Sequence, residues 1–130
     1  MRFDDSGLVL NNGFEQATAI VKDAFASRGF TVTTIESGEE RNAARPGERR
    51  RYLRMSAVLP DVSLAGTESG SSSMLGCTLS VIELNRASTL VAADAPLASY
   101  PVLARLIPRV TRRVAEALQC VARHAVVEAA

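Results

Sequence analysis

Phe14, Ala17, Ile20, Val21, Ala24 and Phe25 recur at three-and-four spacing, and the pattern stops at Gly29. A stripe of that kind predicts a helix from Phe14 to Arg28 with one buried side, so the rest of the chain must supply a surface to cover it. Asn12 stands where a side-chain oxygen caps such a helix, and Glu15 three positions on can return a bond to the cap. Gly29 is the expected left-handed stop. Leu8 to Asn11, just upstream, is a short apolar run and a candidate strand.

Beyond Gly29 the apolar period changes from about 3.6 to 2. Phe30 to Ile35 is rich in β-branched residues, with Phe30 and Val32 on one side and Thr31 and Thr33 on the other. Ser37 to Arg51 carries charge, Gly38, Pro46 and Gly47, and reads as a connecting loop. Leu53, Met55, Ala57 and Leu59 then alternate with Arg54 and Ser56, a strand led by Tyr52 and ended by Pro60. Gly66 to Ser73 has the composition of a flexible linker. It carries no lysine in the place a phosphate-binding loop needs one, and Ser69 abuts Gly70, which excludes a Gly-x-Ser-x-Gly nucleophile turn. Leu75, Cys77, Leu79 and Val81 form the next half-buried strand, Asn85 and Arg86 a turn, and Thr89 to Ala93 a last strand.

A second helix is expected over about 99–124, capped by Ser99 and admitting Pro101 in its first turn. Leu103, Leu106, Val110, Val114, Leu118 and Val121 make its stripe. Arg105, Arg109, Arg112 and Arg113 fall off that stripe and read as a wet face. Pro108 either kinks this helix or starts another. The predicted class is α+β, in the order β-α-β-β-β-β-α: one domain of 130 residues with a curved antiparallel sheet packed on two helices.

Hydrophobic residues at 47% and charged residues at 22% are a globular balance. A formal charge of +1 gives no reason to expect nucleic acid or an anionic membrane as partner. No signal peptide or membrane-spanning run is visible, and two cysteines are too few for a disulfide scaffold, so a cytoplasmic protein is the expectation.

Three segments resemble the bacterial family called domain of unknown function 302. Arg28-Gly29-Phe30-Thr31-Val32 is similar to that family's helix exit. Tyr52 to Pro60 keeps the spacing of its tyrosine-led strand, although Val58 and Leu59 replace a cysteine and an asparagine. Met74-Leu75-Gly76-Cys77 followed by Val81-Ile82-Glu83 resembles its later motif, with Gly76 in place of a proline. The resemblance spans about 13–95. It implies a fold like that of the TATA-box-binding protein and a tendency to dimerise, and it supplies no catalytic residues.

Cys77 is the one family-like polar position retained. Its alternation with Leu75 and Leu79 puts it on the apolar side, as a small core residue more than a nucleophile, which would need exposure and a neighbouring cation. His124 has only Cys120 at ligand spacing, too few for a metal site, and reads as a cation near a helix C-terminus. Arg41, Arg45, Arg49, Arg50, Arg51 and Arg54 can grip phosphate or carboxylate, or can be a salt-bridged loop. The exposed sheet side carries Thr31, Thr33, Ile35, Tyr52, Arg54, Thr78, Ser80 and Ile82, less polar than free solvation requires, which favours coverage by a partner.

The reading favoured is a non-catalytic binding or interaction domain, homodimeric, able to hold a small apolar or anionic ligand through Cys77, Tyr52, Arg54, Arg50 and Arg51. It has no metal and no cofactor. The alternative is a thiol-dependent redox or sulfur-handling protein using Cys77.

Overall fold

The computed structural model describes residues 7–41, 49–59, 75–94 and 107–129. They form β1 (Leu8–Leu10), α1 (Phe14–Ser27), β2 (Thr31–Arg41), β3 (Arg49–Leu59), β4 (Leu75–Asn85), β5 (Ser88–Ala93) and α2 (Ile107–Ala129). The strands make one sheet in the order β1-β5-β4-β3-β2, and every neighbouring pair is antiparallel. The order β-α-β-β-β-β-α and the α+β class are those expected from the alternation of periods.

The core lies on one side of the sheet. Leu53, Met55, Ala57 and Leu59 of β3 join Cys77, Leu79 and Val81 of β4, Val91 of β5 and the apolar stripes of both helices in one buried cluster. From α1 come Ala17, Ile20, Val21, Ala24 and Phe25; from α2, Val110, Val114, Ala117, Leu118, Cys120, Val121 and Ala125. Cross-strand partners place Leu53 beside Val81, Met55 beside Leu79 and Ala57 beside Cys77. A one-residue slip would turn this whole set to the other face, so the register is fixed by burial.

Helix α1 leaves through a complete left-handed turn. Gly29 has φ +89°. The Gly29 N–H donates to the Ala26 carbonyl at 3.1 Å, and the Phe30 N–H to the Phe25 carbonyl at 3.1 Å. The Phe25 and Phe30 rings close the motif, 5.1 Å apart between centroids. From α2, Arg113 Nη1 donates to the Arg28 carbonyl at 3.0 Å, placing a cation where the α1 dipole is negative. Arg113 therefore ties the two helices together, while Arg109 and Arg112 are exposed as expected. Arg105 lies outside the described residues, as do Ser99, Pro101, Leu103, Leu106 and the Gly66–Ser73 stretch.

Three expectations are corrected. Asn12 is not the N-cap: Gly13 holds that position with no side-chain cap bond. Asn12 is buried, its amide donates to Gln16 Oε1 at 3.1 Å, and its carbonyl accepts the buried Thr89 hydroxyl at 2.9 Å. That bond fastens the β1–α1 corner to β5.

The predicted loop over 37–51 is largely strand. β2 runs to Arg41 and β3 starts at Arg49 because Glu36 stands opposite Arg54, Glu39 opposite Arg51 and Glu40 opposite Arg50. Opposite charges across a ladder favour pairing that strand propensity alone would not predict. A bulge between Thr34 and Glu36 shifts the register there, so Glu36 takes the position facing Arg54, and Ile35 is left 55% exposed at the irregularity.

The described residues of α2 run from Ile107, and Pro108 is the second of them. The helix continues to Ala129, which leaves His124 before its last turn. His124 Nδ1 instead stands 2.9 Å from the Cys120 carbonyl, the bond an Nδ1–H donates one turn back. No described helix is long and apolar enough to cross a membrane.

The Gly29 turn yields a stability prediction. Gly29→Ala adds a Cβ in the left-handed region and 3.0 Å from Arg113 Nη1. The expected loss is about 1–2 kcal/mol, read as a lower urea midpoint with an unchanged slope. An unchanged midpoint would refute the assignment of this turn as a conformational lock.

Candidate functional site

Strand alternation separates the residues that sequence reasoning grouped together. Tyr52 and Arg54 point to the side of the sheet away from the helices, and Arg50 shares their parity along β3. Cys77 and Arg51 belong to the helix-covered side. The five do not form one site.

Cys77 is 8% exposed and pairs with Ala57 in the interior of the ladder. Burial, with Asp94 nearby, pushes its thiol up to about 12. At neutral pH the sulfur keeps its proton, the opposite of the state a nucleophile needs. Beside it in sequence, Gly76 faces a backbone so close that an added Cβ would run into the Ala57 carbonyl oxygen. Cys120 is also buried, and both cysteines are free thiols. Among the described residues no group of three or more potential ligands is gathered for a metal.

Arg51 is a structural buckle, not a ligand-binding arginine. Its backbone N–H donates to Glu83 Oε1 at 3.2 Å and its Nη2 to Glu83 Oε2 at 3.1 Å. Nη1 reaches Glu15 Oε1 at 3.4 Å, and the guanidinium carbon lies 4.9 Å from the Phe14 ring centroid. One side chain thus joins β3, β4 and the start of α1. Burial pushes the Glu83 carboxyl up, but hydrogen bonds and charge from Arg51 outweigh it and hold the group below its ordinary 4.5. The bond to Glu83 holds Arg51 more firmly protonated in turn.

The other side of the sheet is where the chain presents an unusual surface. Register puts Val9 beside Leu90, Leu90 beside Ile82, Ile82 beside Tyr52 and Tyr52 beside Gly38. This apolar row crosses all five strands. The Tyr52 ring lies against Gly38, whose missing Cβ would come 3.1 Å from the phenol oxygen. The Tyr52 hydroxyl donates to Glu36 Oε1 at 2.7 Å, and Glu36 Oε2 faces Arg54 Nη1 at 3.7 Å. Glu36, Tyr52, Arg54, Ser80 and Ile82 line a concavity of about 420 Å³ at that end of the row. Val9, 59% exposed, occupies the opposite end.

Tyr52, Arg54, Ser80 and Ile82 were readable as face residues from alternation within their own strands. Val9, Leu90 and Glu36 were not, because their place depends on which strands are neighbours and on the bulge in β2. Comparison with protein-family models, with curated proteins and with solved structures finds no match.

Two measurements follow from these environments. In Cys120→Ser, Cys77 is expected to react with a disulfide reagent only as fast as the fold opens, and at once in urea. Stoichiometric labelling within mixing time in native buffer would rule that out. For Glu83, a folded-state pKa below the unfolded one means stability that is present above the ordinary carboxylate range and lost as pH falls through it. The stability gap between wild type and Glu83→Gln should be full at neutral pH and shrink from about pH 5 downward. A gap that widens on acidification would reverse the assignment.

Proposed function

We propose that this chain is a non-catalytic interaction module that pairs with a second copy of itself through the open face of its sheet. The observation that carries this reading is the row Val9–Leu90–Ile82–Tyr52. An antiparallel sheet with one solvated face normally alternates apolar-in with polar-out, and here apolar side chains occupy the outward positions as well. The row offers one wall, whereas small-molecule sites enclose most of their ligand, so a second layer packed at about 10 Å fits it better than a free ligand does.

Charge favours another copy as that layer. Arg54 and Glu36 stand side by side on this face with side chains 48% and 50% exposed, so the patch carries both signs and can meet itself about a two-fold axis. A chain charge of +1 adds little repulsion between copies. Against thiol chemistry stands the protonated, helix-covered state of Cys77.

Kinship with the domain of unknown function 302 family, and with it the TATA-box-binding-protein-like arrangement, belongs to the same proposal. The helix exit at Gly29-Phe30 and the order of elements support it. A cytoplasmic setting is likewise proposed, supported by two thiols that are both free.

The test is the native mass in solution. The wild type should run at twice the chain mass, and Ile82→Lys at the chain mass with an unchanged far-ultraviolet spectrum. A monomeric wild type, or a dimer that survives Ile82→Lys, would remove the reading.

A further inference from the structure

We infer that the end of the sheet where β3 begins and β4 turns into β5 is an oxyanion site, suited to the phosphate group of a small metabolite. A concavity of about 360 Å³ is lined there by Arg49, Arg50, Glu83, Leu84, Asn85 and Arg86. Among the described residues, three guanidiniums thus share this lining with one carboxylate. That carboxylate already accepts two N–H groups of Arg51, at 3.2 and 3.1 Å, so its charge is matched from the β3 side. The lining is cationic, and guanidinium forks fit the planar edge of a phosphate better than an ammonium does.

The donors are also free to serve. Arg50 Nε is buried and has no hydrogen-bond partner among the described residues. Arg86 lies exposed in the β4–β5 turn. Arg49 meets Glu39 at 3.5 Å with side chains 65% and 52% exposed, a contact that solvent screens. Asn85 Oδ1 accepts the Ala87 N–H at 2.8 Å, which leaves its amide nitrogen to donate. The β4–β5 ladder shifts register between Glu83 and Asn85, an irregularity that re-aims side chains at the strand end. Glu40 stands opposite Arg50 in the β2–β3 register.

The site is separate from the apolar row and stands whether or not a second copy covers that row. Inorganic phosphate titrated into the full chain at low ionic strength, followed by calorimetry, tests it. Saturable binding is expected, weakened about tenfold or more by Arg50→Gln and by Arg86→Gln. Binding should be undiminished in Glu40→Gln and unaffected by Arg112→Gln on the exposed side of α2. Far-ultraviolet spectra confirm folding, and Arg86, in an exposed turn, is the substitution least able to disturb it.

Three outcomes overturn the site: no saturation beyond that given by chloride, equal loss from Arg112→Gln, or a single-stranded oligonucleotide binding more tightly than phosphate with a steep salt dependence. The native mass of Arg86→Gln, expected to equal that of the wild type, keeps this result distinct from the dimer. Loss of self-association with phosphate binding retained would remove the dimer alone.

Discussion

Burial of one side of a single sheet under two helices is the constraint from which the rest of this structure follows. It forces Leu53, Met55, Ala57 and Leu59 to one face of β3 and Cys77, Leu79 and Val81 to the same face of β4. Once those are fixed, Tyr52, Arg54, Ser80 and Ile82 have no choice but the other face. The candidate thiol is removed from chemistry by the same alternation that exposes the candidate binding residues. Cys77 is six positions from Glu83 along β4, about 20 Å of extended chain, so it is remote from the Arg51–Glu83 ion pair on its own face.

What the sequence made legible are features governed by a few neighbouring residues. The α1 stripe, the Gly29 exit and the alternation of β3 and β4 each rest on a local period or on one backbone preference. Charge does not behave that way. Glu36, Glu39 and Glu40 beside a run of arginines has the composition of a loop, and it becomes strand because the two runs lie antiparallel and oppositely charged. Asn12 shows the same limit. Its side chain has the chemistry of a cap, but its carbonyl is held by Thr89, distant in sequence, and that bond draws Asn12 inward and leaves Gly13 to begin the helix.

The arginines divide by what the sheet puts beside them. Arg51 and Arg113 act as fasteners: one joins two strands to α1, the other closes the C-terminal end of α1 from α2. Arg54 shares Glu36 with Tyr52 on the open face. Arg49, Arg50 and Arg86 meet at a strand end where the one lining carboxylate is already bound. Arg51 turns to the helix-covered side while Arg50 shares the parity of Tyr52, so the run from Arg49 to Arg51 does not act as one patch. The segment from Arg49 to Arg51 therefore serves fold and surface at once.

The open face shows what a single helical layer leaves undone. Two helices cover one side of five strands, and the outward positions of β1, β3, β4 and β5 still carry Val9, Tyr52, Ile82 and Leu90. Val9 is exposed and the other three are half-buried, and each alone is ordinary. Their alignment in one register row is different, because adjacent side chains shield one another and present a continuous strip that water contacts poorly. Gly38 extends the strip by letting the Tyr52 ring come close against its backbone, with the hydroxyl donating to Glu36. An aromatic ring held in that way loses little freedom on association, which is the property that makes such residues effective anchors at protein interfaces.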